Sequence, residues 1–234
     1  MVKPKSPRHG SMQFWPRRRA KSEVARVRSY APRKDVGLCG FSGYKVGMTH
    51  IIYTDNYSNS MTKGEDISVP VTIIECPPLK VLGVRFYKNS VALSDVLFDK
   101  CDKDLAKKIT VPKKVNKKID DVKEYDDITL IVHTQPKLTS LEKKKPEVFE
   151  IAISGKPEEK LNFAKEKLGK EIKIEDVFKP GELSDLHGIS KGKGVQGPVK
   201  RFGVKTTSHK AEKSKRTPGS LGGWKAQGHV MYRI

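Results

Sequence analysis

The sequence is poor in what builds a large core or a membrane span. Of 234 residues, 36% are hydrophobic and 7% aromatic. That is below the roughly 45–50% apolar share of ordinary domains, so part of the chain is expected not to pack. No apolar run approaches the roughly 18 residues of a membrane helix. The basic N-terminus has no apolar stretch of the kind a secretory signal carries. No membrane is therefore expected as a partner. The three cysteines, Cys39, Cys76 and Cys101, are odd in number and widely spaced, with no C-x-x-C. That argues against a disulfide framework or a zinc site and for free thiols in a reducing cytosol. The six histidines (His9, His50, His133, His187, His209, His229) show no metal-ligand spacing, and neither a G-x-S-x-G elbow nor a G-x-x-x-x-G-K-[ST] loop occurs. The adjacent acids Asp120-Asp121, Asp126-Asp127 and Glu158-Glu159 lie in charged surroundings and read as surface. No catalytic residue, metal, cofactor or small-molecule substrate is expected.

Acids are also scarce at both ends, and that scarcity is informative. Met1–Lys34 holds eleven Lys/Arg against Glu23, and His187–Ile234 holds eleven against Glu212. The remaining 25 basic and 25 acidic residues lie between them and cancel. The net charge of +20 therefore sits in two terminal segments around a neutral body, a layout suited to a polyanion.

The first segment, MVKPKSPRHGSMQFWPRRRAKSEVARVRSYAPRKD, is interrupted by Pro4, Pro7, Pro16 and Pro32 and has no apolar period. Aromatics beside arginines suit an arm that folds on nucleic acid, guanidiniums on phosphates and rings on bases. From Val36 the texture changes. GLCGFSGYKVGMTHIIYTD, Ile67–Cys76 and Val81–Tyr87 alternate and are rich in β-branched residues, as strands of a small barrel or sandwich are. Val91–Lys108 predicts an amphipathic helix. Ile128–His133 and Val148–Ile153 predict strands of one sheet. Pro157–Gly169 predicts a helix with Leu161, Ala164 and Leu168 on one face. The fold class expected is mainly β with an α/β insertion.

Past Leu186 no core can be built. Nine of the 43 residues from His187 to His229 are hydrophobic, and nine of the 19 glycines fall there. The run HGISKGKGVQGPVKRFG contains G-x-G-x-x-G at Gly192, Gly194 and Gly197. A dinucleotide turn needs a strand before it and a helix after it. His187–Lys191 is no strand, Pro198 follows Gly197 directly, and no helix is expected beyond. The alternative is a thin backbone with Lys191, Lys193, Lys200 and Arg201 interleaved, suited to close approach to phosphates. Basic tails alone leave a general DNA-compacting protein as the second reading.

RHGSMQFWPRRRA at 8–20, YKVGMTHI at 44–51 and HGISKGKGVQGPVKRFGVKTTSHK at 187–210 together resemble the universal large-subunit ribosomal protein L three family, in its archaeal and eukaryotic branch. The resemblance implies a translation-protein-type six-stranded β-barrel with an inserted α/β region. It also implies a basic N-terminal arm and a long internal finger that enter large-subunit ribosomal RNA. In this family the finger tip approaches the peptidyl transferase centre, and the protein supports early subunit assembly without being an enzyme. Large-subunit ribosomal RNA and neighbouring ribosomal proteins are the partners implied, and the cytoplasmic large subunit is the location.

On this sequence the resemblance divides the chain into an arm (1–35), the first part of the barrel (36–90), the α/β insertion (91–180), and the barrel return with the finger (181–234). RNA-binding residues expected are Arg8, His9, Trp15, Arg17, Arg18, Arg19 and Lys21 in the arm. In the finger they are Lys191, Lys193, Lys200, Arg201, Lys205, His209, Lys210, Lys215 and Arg216. His209 resembles a histidine methylated in some members, at a longer spacing here. Trp224 resembles the finger-tip tryptophan. Relatives continue from that tryptophan with His-Pro and a returning strand; here Lys225-Ala226-Gln227-Gly228 follow and the sequence ends at Ile234. The barrel is therefore expected to be incomplete, with exposed strand edges. Half of the 37 residues from His187 to Trp224, drawn out, would reach on the order of 50–60 Å.

Overall fold

The structure is a computed structural model and describes residues 19–219 except 32, 34, 113, 114 and 116. The chain divides into two units, Val24–His187, and Met1–Glu23 with Gly188–Ile234.

The first unit is mainly β. Its strands are β1 (Gly37–Leu38), β2 (Tyr44–Thr54), β3 (Asp66–Glu75), β4 (Leu79–Lys88), β5 (Val91–Leu97), β6 (Asp127–His133), β7 (Val148–Ser154) and β8 (Glu171–Ile172). Helix α1 (Pro157–Lys167) stands between β7 and β8. Six strands share one curled, half-barrel sheet in the order β1-β7-β6-β4-β5, with β8 also on β4. Every pairing is antiparallel.

β4 is the centre of this sheet because its sequence, LKVLGVRFYK, is almost continuously apolar. Such a run suits a strand covered on both faces. One edge of β4 pairs with β6, while the other is shared between β8 at Leu79–Lys80 and β5 from Gly83 onward. Gly83 permits that approach, since a Cβ there would lie 2.5 Å from the carbonyl oxygen of Val96.

The period of two decides which side chains meet. Ile128, Leu130 and Val132 of β6 join Val84, Phe86, Val96, Ile151 and Ile153 in the main core. Ile131, between them, turns instead to a smaller cluster with Leu82 and Leu105. Ala164 of α1 is buried in the main core, and Leu161, Phe163 and Leu168 pack on it. The helix starts at Pro157 with Glu158 and Glu159 in its first turn and carries Lys165 and Lys167 in its last, charges that suit its dipole. Gly169 follows at φ +74°, and a Cβ there would sit 2.6 Å from the Phe98 ring.

The helix expected over Val91–Lys108 is not formed. Val91–Leu97 is β5, and only Lys103–Lys107 coils, as a 3-10 turn. Asn89 and Ser90, at φ 51° and 61°, make a two-residue turn that folds β5 onto β4. Pairing with a buried strand outweighs a weak helical period.

β2 and β3 form a separate two-stranded ribbon. Thr49 faces Val71, Ile51 faces Val69 and Tyr53 faces Ile67, so one side of the ribbon is apolar. On the other side, Ile52 is 71% exposed. No third strand pairs with the ribbon among the described residues. The loop joining its strands is held by Asp55, whose carboxylate accepts from the Tyr57 amide at 3.0 Å and the Thr62 hydroxyl at 2.8 Å.

Candidate nucleic-acid interface

The second unit, where described, has no strand and almost no core. Residues 19–23 and 188–219 carry one short helix, α2 (Pro198–Phe202), and a 3-10 turn at Glu212–Ser214. From Gly188 to Val195 the chain is irregular and exposed throughout. This follows from composition, since alternating Gly and Lys offer neither apolar surface nor helical propensity.

α2 corrects the expectation that no helix follows the glycines. Pro198 stands at its first position and Gly203, at φ 65°, closes it, the residues that favour those two places. Five residues make a little over one turn, and no strand precedes the glycines, so the βαβ frame of a dinucleotide site is absent here. Arg201 N–H donates to the Gly197 carbonyl at 3.0 Å, and Gly203 N–H to that of Val199 at 3.1 Å. This turn puts Lys200 and Arg201 side by side in its last residues.

Further on, the Thr207 amide donates to the Lys215 carbonyl at 3.2 Å. That bond closes a loop holding His209, Lys210 and Lys213, all exposed. Lys210 takes φ 59°. The Ser214 amide donates to the Ala211 carbonyl at 3.1 Å and the Thr217 hydroxyl to the Ser214 carbonyl at 2.8 Å, local bonds that build the loop.

The glycines are the more telling feature. A Cβ added at Gly188, Gly192, Gly194, Gly197, Gly203 or Gly219 would meet no atom within 4 Å. Gly194, Gly203 and Gly219 have positive φ, but Gly188, Gly192 and Gly197 do not. For these three, neither packing nor backbone conformation among the described residues requires glycine. A thin backbone flanked by Lys191 and Lys193 can approach an external surface closely.

The expected site residues fall into three groups. Arg19 and Lys21 are exposed in the short described part of the arm. Lys191, Lys193, Lys200, Arg201, Lys205, His209, Lys210, Lys215 and Arg216 are all exposed, and Glu212 is the one acid among residues 188–219. Arg8, His9, Trp15, Arg17, Arg18 and Trp224 lie outside the described residues. Sequence reasoning passed over Lys213, in the same loop as His209, although its place in the basic run was signal enough. It also passed over Arg26 and Arg28, exposed on the arm's inner stretch. No group of three or more His, Cys, Asp or Glu could hold a metal among the described residues.

On the body, a cavity of about 290 Å³ is lined by Asp102, His133 and residues of the loop that follows it, up to Pro146. His133, 4% exposed, lines it, with its Nδ1 3.1 Å from the Thr134 carbonyl and its Nε2 3.6 Å from Asp102. Two acids in this region have cationic partners: Asp102 binds Lys80 at 2.7 Å, and Glu147 binds Lys108 at 2.7 Å and Lys143 at 3.0 Å. The arrangement has the character of a satisfied structural network.

The family model described as Ribosomal protein L3 matches residues 1–97 and 84–234. Large ribosomal subunit protein uL3 of Methanosphaera stadtmanae is 46% identical over 241 residues, covering 96% of this chain and 71% of that protein. The uL3 of Methanobrevibacter smithii is 44% identical over 237 residues, covering 96% and 70%. That of Methanocaldococcus jannaschii is 44% identical over 241 residues, covering 97% and 72%. These relatives are named as ribosomal proteins and not as enzymes. Matched by the family model from end to end, and by these relatives at 44–46% identity over nearly its whole length, the chain belongs to the ribosomal protein L3 family, in its archaeal-type branch.

Proposed function

We propose that this chain is a structural, non-enzymatic constituent of the cytoplasmic large ribosomal subunit, and that its two basic segments bind large-subunit ribosomal RNA. The finger, 188–219 and onward to Trp224, enters the RNA core toward the peptidyl transferase centre. The arm, with Arg8, His9, Trp15, Arg17, Arg18, Arg19 and Lys21, lies along RNA near it. The half-barrel sheet and its ribbon face neighbouring ribosomal proteins. By supplying charge deep in the RNA early on, the chain supports subunit assembly. The segment 91–180, expected as the α/β insertion, supplies β5–β8, which share one sheet with β4, and the helix α1.

The carrying observation is the segment 188–219. It has nine Lys/Arg against one acid, no core among the described residues, and glycines at which an added Cβ would meet no described atom within 4 Å. Such a segment has little to gain from folding alone and much from neutralising phosphates. Competition tests the choice of RNA. The chain is bound to labelled large-subunit ribosomal RNA and challenged with excess unlabelled duplex DNA or ribosomal RNA. Binding that survives the DNA and yields to the RNA is expected, because folded RNA is read by shape. Equal displacement by both would favour a general DNA-compacting protein.

A further inference from the structure

The two basic segments are far apart in sequence, yet their roots on the body are tied together. The chain enters the body through β1, where Leu38 is buried and pairs with Ile153. The Ser154 hydroxyl lies within hydrogen-bond reach of the Asp35 and Gly37 carbonyls and donates its one proton between them. The chain leaves the body through residues 174–187, where Val177 is buried in the main core and Phe178 packs against it.

One side chain joins entry and exit. Arg33 Nη1 donates to the Leu38 carbonyl at 3.2 Å and to the Val177 carbonyl at 3.2 Å. Its Nη2 donates to Glu182 Oε1 at 2.6 Å. The guanidinium lies over the Phe178 ring, 5.7 Å from its centroid. Glu182 is itself fixed, because its other oxygen accepts from the Lys179 amide at 3.1 Å and its own amide donates to the Lys179 carbonyl at 3.2 Å. A lysine could not make this set, which uses the planar fork and the ring-stacking face of a guanidinium.

We propose that Arg33 and Glu182 form a latch that launches arm and finger from one corner of the body, so that both engage a single RNA site. The proposal rests on the RNA-binding reading given above. Arg33 is then a positioning residue rather than a phosphate ligand, with three of its five N–H donors committed to the protein. Fourteen residues separate it from Arg19, and nine separate Glu182 from Lys191. Fully drawn out, those tethers span at most about 50 Å and about 32 Å. With a common origin, binding of one segment raises the effective concentration of the other at the same RNA. Without the latch the two origins move apart and that gain falls.

The charge of Glu182 makes the test sharp. Glu182→Gln removes a negative charge beside a polyanion-binding root, so electrostatics alone would tighten RNA binding. The latch predicts the opposite: weakening of about tenfold at fixed salt in Glu182→Gln and in Arg33→Gln, with the salt slope unchanged. Exchanging the pair, Arg33→Glu with Glu182→Arg, keeps the net charge and is expected to recover part of the loss. Equal or tighter binding by Glu182→Gln would overturn the proposal. So would a salt slope reduced in Arg33→Gln by the roughly 0.7–0.9 expected for one phosphate, which would make Arg33 a direct contact. A second readout needs no RNA. Fluorophores at Ser29 and Asp185 of the full chain should give a narrow distance distribution that broadens in Glu182→Gln, and an unbroadened distribution would refute the latch. Should the unmodified chain show no salt-dependent RNA binding, the RNA reading itself fails, while the distance distributions still decide whether the latch exists.

Discussion

Gly169 and Gly192 are glycines for different reasons. Gly169 has φ +74° and a ring 2.6 Å from its missing Cβ; Gly192 has neither constraint. Gly169→Ala should therefore destabilise the body by about 1–3 kcal/mol, through backbone strain and displacement of Phe98. Gly192→Ala should leave the urea midpoint within about 0.5 kcal/mol of the parent and weaken binding to ribosomal RNA several-fold. Urea denaturation and filter binding on both variants check the contrast. Two buried groups make stability depend on pH. Burial pushes the His133 imidazole below its ordinary value, against the opposing Thr134 carbonyl and Asp102. The unfolded imidazole takes a proton that the folded one resists, so stability falls as pH drops below about 6.5. Burial alone would raise the Glu147 carboxyl, but hydrogen bonds from Lys108 and Lys143 outweigh it and hold it low. Its contribution is present above about pH 4.3 and is lost as pH falls further. Urea midpoints across this range should show both declines, with His133→Gln flattening the first and Glu147→Gln the second.

At the scale of elements, β4 and the ribbon are opposites. Phe86 of β4 is fully buried and its ring meets Tyr125 at 5.2 Å and 60°. Phe86→Ala should cost about 3–5 kcal/mol in urea denaturation. Ile52 of β2 lies on a face that no described element covers, so Ile52→Lys should change stability by less than about 0.5 kcal/mol. The same change should reduce self-association of the isolated chain, read by sedimentation, since an exposed apolar ribbon with open edges invites pairing. The strands β6 and β7 and the helix α1 were legible in sequence because short apolar runs, a period near 3.6 and the Pro and Gly punctuation each point one way. β5 was not legible: VALSDVLFDK carries a faint helical period, and what makes it a strand is the turn at Asn89-Ser90 and a partner strand. α2 was missed because Pro198 was read as a stop, when Pro at a first helical position is a start.

For the whole molecule, charge position mattered more than any motif. The glycine-lysine run lacks the frame of a cofactor turn, because no strand precedes it and only the short α2 follows; the missing strand was visible in sequence and the short helix was not. The link between Arg33 and Glu182 was invisible there, because 149 residues separate them and neither stands out locally. If Trp224 stands at the tip of the proposed finger, Trp224→Ala should alter peptidyl transfer or drug sensitivity of reconstituted subunits more than it alters RNA affinity; a change in affinity alone would argue against a tip role. The most direct test of the RNA-entering finger is the salt dependence of binding to large-subunit ribosomal RNA, measured for the chain and for a form lacking 191–216. The predicted result is a slope of log K on log salt of about −4 or steeper for the chain, at roughly 0.7–0.9 per phosphate. Deletion should at least halve that slope and leave the body's unfolding transition in place. A flat response in the chain, or the same slope and affinity after the deletion, would contradict it.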